Sequence, residues 1–178
     1  AEAIFMASRV NTDDPVAAWN IHNQKLKEKR EWLSQKDFKE IHFKGPETDL
    51  KVGLADDHEW MGGASMAQNG VICNPNIPSE EVFTTPHALR VEGYVSSTKP
   101  LSHQGTLIDN IRVVFEKGSI TEAKAGKGET VLKKVLDSDE GARRLGEVAL
   151  VPNSSPISSS GLLFYNTLFD ENAACHIA

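Results

Sequence analysis

A long helical pattern near the start of the chain, followed by short segments that glycine and proline separate, most constrains the fold. Asp13 and Asp14 are both suited to cap a helix, and Pro15 suits its first turn. Apolar residues then recur at roughly helical spacing, which predicts a helix over about residues 14–35. The apolar residues of this stripe are Val16, Trp19, Ile21, Leu26, Trp32 and Leu33. Residues 1–10 form a short apolar run that we interpret as the end of a helix or strand.

The rest of the chain has the pattern of a β-rich body. Strands are predicted over residues 38–43, 50–54, 89–95, 111–115, 120–123, 145–151 and 162–165. Residues 45–47 and 117–118 are predicted hairpin turns. A short helix is predicted over residues 129–136 and a serine-rich loop over residues 154–161. The fold class is therefore α+β: an N-terminal helix followed by a β-rich, mostly antiparallel or mixed-sheet body with a short helix.

Composition argues against two classes of partner. The net charge is -6, whereas contact with phosphates or an anionic membrane needs clustered basic residues. The basic residues within 25–30 alternate with a glutamate and indicate a solvated helix face. No apolar run reaches the roughly 18 residues of a membrane span. We expect no nucleic-acid or membrane partner, and a cytoplasmic location in which Cys73 and Cys175 are free, buried thiols.

Glu147 is the acidic residue whose local pattern most strongly predicts a metal ligand. It lies in the apolar run of residues 145–150, and a carboxylate inside an apolar strand costs free energy unless it is paired or bound to a metal. Glu80 and Glu81 are adjacent on an extended segment, so only one of them can face a common site. Residues 56–59 (Asp-Asp-His-Glu) are also rich in metal-capable groups. We interpret them as an exposed hairpin turn, because neighbours in a turn rarely converge on one ion.

The last residues of the sequence concentrate metal-capable groups. Glu171, Cys175 and His176 bring a carboxylate, a thiol and an imidazole into one short stretch. The spacing of Glu171 and His176 does not place them on one helix face, so a turn has to bring them together. A lone histidine near an apolar segment is more often a core residue, and a strand would point Cys175 away from His176 as a packing residue. We expect this stretch to be part of a metal site whose remaining ligands lie beyond residue 178.

Three segments, in this order, carry a resemblance to a known family. They are residues 76–86 (NIPSEEVFTTP), 139–150 (DEGARRLGEVAL) and 169–178 (FDENAACHIA). Together they resemble the thermophilic aminopeptidase family of aminopeptidase T, aminopeptidase S and PepS, and the PepS-type members most. The resemblance covers essentially the whole chain.

The resemblance implies a domain organisation. Members of the family are roughly twice this length, have an α/β N-terminal domain and a C-terminal catalytic domain, and form cytosolic homodimers. Residues 1–36 then correspond to the end of the N-terminal domain and its connecting helix. Residues 37–178 correspond to a partial C-terminal catalytic domain, truncated at its C-terminal end, so the chain resembles an internal fragment.

The resemblance also implies an activity and its residues. Members are exopeptidases that use two divalent metal ions, usually cobalt, zinc or magnesium, to release N-terminal residues from peptides with a free N-terminus. Carried over residue by residue, Glu81, Glu147 and His176 are metal ligands. Glu171 is the fourth, and Glu80 is a candidate general base beside Glu81. A His-x-Asp pair and a tyrosine of the family fall after residue 178.

Two non-catalytic alternatives stay open from the sequence. One is a binding module whose acids form an ordinary surface, and the other is a structural or dimerisation core. Convergence of Glu81, Glu147 and His176 within a few ångströms favours the enzyme, whereas their placement on different faces excludes it.

Overall fold

Five helices and twelve strands follow one another in the computed structural model, which describes residues 1–178. The helices are α1 (Glu2–Ala7), α2 (Pro15–Lys36), α3 (Glu129–Leu136), α4 (Pro156–Ser160) and α5 (Thr167–Glu171). The strands are β1 (Glu40–Gly45), β2 (Thr48–Leu54), β3 (Ser65–Met66), β4 (Ile72–Cys73), β5 (Val82–Thr84), β6 (Pro86–Ser96), β7 (Leu101–His103), β8 (Thr106–Ile108), β9 (Arg112–Glu116), β10 (Ser119–Lys124), β11 (Val148–Leu150) and β12 (His176–Ile177). The predicted α+β class is confirmed. None of the helices has the length and apolar character that crossing a membrane requires.

The chain divides into two compact units, each assembled from three separate stretches of sequence. The first unit consists of Ala1–Asp37, Glu59–Thr84 and Ala149–His176. The second consists of Phe38–His58, Thr85–Val148 and Ile177–Ala178.

Helix α2 is the longest element of the first unit, and it begins where the sequence signals predicted. The Asp14 side chain accepts a hydrogen bond of 2.9 Å from the backbone N–H of Ala17, and Pro15 occupies the first turn. The hydrogen bond to Asp14 satisfies the Ala17 N–H group, which would otherwise lack an intrahelical partner. The buried residues of the helix, each one heptad from the next, are Trp19, Leu26 and Leu33. Val16, Ile21 and Trp32 are exposed, so only half of the predicted apolar stripe is covered.

A small apolar cluster connects the two ends of the first unit. Ala7 of α1 packs with Ile157 of α4 and with Ala173, and all three are buried. Phe164 and Phe169 lie against this cluster and stack on each other with their ring centroids 5.0 Å apart. The apolar run of residues 1–10 therefore forms a helix, α1, which contributes Ala7 to this cluster.

Two predictions for the serine-rich region are wrong. Residues 156–160 form helix α4 instead of a loop, because Ser155 accepts a hydrogen bond from the Ile157 N–H and Gly161 ends the helix with a φ of 64°. Residues 162–165 do not form a strand. The Phe164 N–H donates to the Asp170 carboxylate at 2.7 Å, which ties this segment to α5.

The second unit is built on a five-stranded antiparallel sheet in the order β1-β2-β6-β9-β10. The predicted hairpins at residues 45–47 and 117–118 connect β1 to β2 and β9 to β10. Leu50, Val52 and Leu54 alternate along β2 and are at most 1% exposed, as a strand with one covered face requires. Helix α3 agrees with its predicted bounds.

A three-stranded sheet, in the order β12-β11-β5, positions the candidate site. The strand predicted over residues 145–151 is shorter than expected, because only Val148–Leu150 has strand geometry and Glu147 lies just before it. Cys73 and Cys175 are free, as expected, but both are exposed, so their predicted burial is wrong. Cys73 lies in the exposed strand β4, and the Cys175 thiol accepts from the Val151 N–H at 3.4 Å.

Candidate metal centre

Three strand ends bring together three of the predicted ligands. Glu81 directly precedes β5, Glu147 directly precedes β11, and His176 is the first residue of β12. These three strands form one sheet. Each of the three residues offers one ligand atom, and the three atoms all lie within 4.8 Å of one another. The convergence that the metal-site hypothesis required is therefore present, while the role of each residue as a ligand stays a prediction.

The His176 imidazole is oriented by its own backbone neighbourhood. Its Nδ1 atom donates a hydrogen bond to the carbonyl oxygen of Ala174 at 3.0 Å. A proton on Nδ1 leaves the coordinating lone pair on Nε2, which is how protein metal sites commonly fix a histidine tautomer. That Nε2 atom lies 3.0 Å from Oε2 of Glu81.

The Glu81 carboxylate provides the test of whether a cation fits here. The residue is only 6% exposed, and its buried Oε2 atom has no hydrogen-bond donor. An orphaned carboxylate oxygen in a buried position is costly unless a cation compensates it. Two carboxylates and one imidazole are also ligand types that zinc and similar transition metals accept. The residues present therefore fit a divalent metal ion.

The backbone around Glu81 holds the start of strand β5 in place. Phe83 exchanges two backbone hydrogen bonds with Met61, at 3.0 and 2.9 Å. Gly62 has a φ of 143°, and a Cβ atom there would lie 2.5 Å from the Glu81 carbonyl oxygen. Only glycine allows this close approach without a shift of the backbone.

Glu147 is held by a reciprocal pair of backbone hydrogen bonds. Its N–H donates to the Ala178 carbonyl at 3.0 Å, and the Ala178 N–H donates to the Glu147 carbonyl at 3.1 Å. The side chain is half-buried. Fixing its backbone on both sides limits the directions that the carboxylate can take.

Glu171 and Glu80 lie outside the cluster of three. Glu171 is the last residue of α5 and is not among the groups within 4.8 Å of one another. Glu80 is 2% exposed, and its carboxylate forms an ion pair with Arg9. Sequence reasoning missed Arg9, because a single arginine after a short apolar run carries no recognisable motif.

The comparisons with known proteins identify the family of this chain. The sequence matches the family of thermophilic metalloproteases (M29) over residues 1–178. The chain belongs to the thermophilic metalloprotease (M29) family. This membership confirms the resemblance that the three sequence segments indicated.

Curated relatives of this M29 chain are named aminopeptidases. Aminopeptidase T of Thermus thermophilus is 57% identical over 177 residues, aminopeptidase 2 of Geobacillus stearothermophilus 51% over 177, and PepS of Streptococcus thermophilus 48% over 175. The matches cover 99%, 99% and 98% of this chain but 43%, 43% and 42% of the relatives, so the chain spans less than half of their length. The identity to aminopeptidase T is higher than that to PepS, contrary to the expected order.

Solved structures extend the agreement to the fold. The structure of wild-type AmpT from Thermus thermophilus matches with a TM-score of 0.92 at 56% identity, over 99% of this chain and 43% of that one. A 2,5-dihydroxypyridine dioxygenase from Pseudomonas putida matches with a TM-score of 0.56 at 15% identity, over 85% of this chain and 46% of that one. At that identity the dioxygenase shares the fold alone.

Proposed function

We propose that the chain contributes Glu81, Glu147 and His176 to the metal centre of an aminopeptidase that releases N-terminal residues from peptides. The observation that carries the proposal is the convergence of these three side chains within 4.8 Å in a member of the M29 family. The non-catalytic alternatives give no reason for two carboxylates, one of them buried, to converge with an imidazole.

Each side chain has a distinct part in holding the ions. The two carboxylates supply negative charge, and the His176 imidazole supplies a neutral nitrogen whose orientation the Ala174 carbonyl fixes. Divalent ions bound there would polarise the scissile carbonyl and lower the pKa of an attacking water toward neutrality. The free α-amine of a peptide, in its neutral form, could bind a metal ion held there, which would account for a preference for an N-terminal residue.

The charges of these ligands bear on how many ions the site can hold and on which metals suit it. Glu81 and Glu147 together neutralise one dication, so a pair of ions needs further anionic ligands. We propose Glu171 as one of them. The imidazole nitrogen favours zinc or cobalt over magnesium, which prefers oxygen ligands.

The test of the proposed function is activity of the intact protein that contains this chain. We expect a chelator to abolish release of the leaving group from aminoacyl p-nitroanilides, and cobalt or zinc to restore it. An N-acetylated substrate should not be cleaved. Glu147→Ala should lower kcat/KM by at least about a hundredfold, because loss of metal-ion catalysis costs several kcal/mol of transition-state stabilisation.

The matched control is Glu122→Ala, which removes an exposed glutamate of β10 outside the cluster. Its kcat/KM should equal that of the unmodified protein. An unchanged rate for Glu147→Ala would count decisively against the assignment.

We also propose that the protein is a cytoplasmic homodimer that acts on peptides. Size-exclusion chromatography tests the dimer, and cell fractionation tests the location.

A further inference from the structure

Glu80, the residue before Glu81, belongs to a largely buried ion pair that the proposed chemistry does not use. Both terminal guanidinium nitrogens of Arg9 contact the Glu80 carboxylate: Nη1 donates to Oε1, and Nη2 donates to Oε2 at 2.9 Å. The side chains are only 18% and 3% exposed. A two-point arginine–carboxylate contact fixes the orientation of both planar groups, which a single charge contact does not do.

The Arg9 guanidinium is itself held from a second side. Its Nη2 atom donates to Nδ1 of His22 at 3.2 Å, and Nε2 of His22 donates to the Ser79 carbonyl at 2.6 Å. This arrangement requires neutral His22 with its proton on Nε2. Burial lowers the pKa of His22, in keeping with the neutral form. The ring centroid of Trp19 lies 5.3 Å from the guanidinium carbon of Arg9.

The backbone of the same segment is fixed from a third direction. The N–H of Glu80 donates to the Asn172 side-chain oxygen at 2.7 Å, and Asn172 is fully buried. The side-chain nitrogen of Asn172 donates to the Leu168 carbonyl oxygen at 2.8 Å. The backbone carbonyl oxygen of Asn172 accepts a hydrogen bond from the Ser155 hydroxyl at 2.7 Å. The residue before Glu81 is therefore anchored through both its side chain and its backbone.

Arg9 has a backbone conformation that glycine more often adopts. Helix α1 ends in a Schellman motif, in which Arg9 N–H donates to the Met6 carbonyl and Val10 N–H donates to the Phe5 carbonyl. Arg9 occupies the left-handed position of this motif with a φ of 57°. Glycine is the residue that suits this position, and an arginine there is unfavourable for the backbone.

We propose that Arg9 is a positioning residue for the metal centre. By holding Glu80 on the opposite side of the segment, it fixes the direction in which the adjacent Glu81 carboxylate points. The general-base role expected for Glu80 does not fit this geometry, because both of its carboxylate oxygens are engaged by the guanidinium. The inference rests on the proposed assignment of Glu81 as a metal ligand.

Metal affinity, measured on the intact protein after removal of metal with a chelator, tests this inference. Cobalt binding is followed by visible absorption and zinc binding by calorimetry. Arg9→Lys keeps the charge but loses the two-point contact. Glu80→Gln keeps the shape but loses the ion pair. We expect both variants to bind metal 10- to 100-fold more weakly, which is the usual effect of changing a group that orients a ligand.

Two controls separate positioning from a general loss of stability. Leu33→Ala removes a buried side chain of α2, and Arg143→Lys alters an exposed pair with Asp137. Both should keep the metal affinity of the unmodified protein. Arg9→Lys and Glu80→Gln variants that fold and bind metal with unchanged affinity would overturn the inference, and Glu80→Gln alone decides if Arg9→Lys does not fold. If Glu81→Gln also leaves the affinity unchanged, the metal-site assignment itself fails.

Discussion

His22 shows how a single buried residue makes the stability of this protein depend on pH. Burial is the largest influence and lowers its pKa below 6.5, Arg9 and Lys29 act in the same direction, and Glu80 and the Ser79 carbonyl oppose them. The unfolded state therefore binds a proton more readily than the folded state does. The contribution of neutral His22 to the free energy of unfolding is fully present above pH 6.5. It is lost as the pH falls from 6.5 through the lower pKa that His22 has in the folded state.

The pH dependence of unfolding checks this at the residue scale. The free energy of unfolding, measured with urea, should fall in this window for the unmodified protein and fall less for His22→Gln, which has no titrating group. The imidazole signal of His22 in NMR, identified by its loss in His22→Gln, should titrate below pH 6.5. A midpoint at or above 6.5 would contradict the argument.

At the scale of elements, the central sheet of the second unit depends on a glycine in β6. Gly93 pairs with Leu50 of β2 and with Phe115 of β9, and it has a φ of 112°. A Cβ atom there would lie 2.1 Å from the Asp49 carbonyl oxygen. Gly93→Ala should therefore lower the free energy of unfolding by more than about 1 kcal/mol, since both the space and the backbone conformation exclude a side chain.

Gly45→Ala is the matched control for this prediction. Gly45 ends β1, and no atom lies within 4 Å of the position that a Cβ would take. Urea unfolding should show a small change for Gly45→Ala and a large one for Gly93→Ala. Equal effects of the two substitutions would mean that the close approach between β2 and β6 does not exclude a side chain at position 93.

The elements also show which features the sequence could predict. Helix α2 and the two hairpins have strong local signals, an aspartate–proline start and glycine-containing turns, and their predicted positions agree with the structure. Helix α4 has five residues, too few for a periodic pattern, although Ser155 and Gly161 mark its ends. The alternation argument separated Glu80 from Glu81, but no local pattern could reveal that Arg9 lies against Glu80.

At the scale of the whole molecule, the metal cluster joins segments that are far apart in sequence. Glu81, Glu147 and His176 approach one another only in the folded chain, so an ion bound by all three stabilises the folded state and not the unfolded one. At a free metal concentration of 100 times Kd, the stabilisation is about 2.7 kcal/mol for one site. We expect zinc or cobalt to raise the Tm of the intact protein and a chelator to reverse the shift.

The same melting experiment distinguishes the cluster from incidental metal binding at the surface. Glu81→Gln removes one charge from the cluster and should reduce the metal-induced shift in Tm, because weaker binding lowers the stabilisation at a given metal concentration. His42→Gln removes an exposed histidine that pairs with Asp49 at 2.7 Å, and the shift should be retained. An equal shift in both variants would place the stabilising ion elsewhere. A smaller shift in Tm for Glu81→Gln alone would mean that the ion that stabilises the fold is bound at the three strand ends.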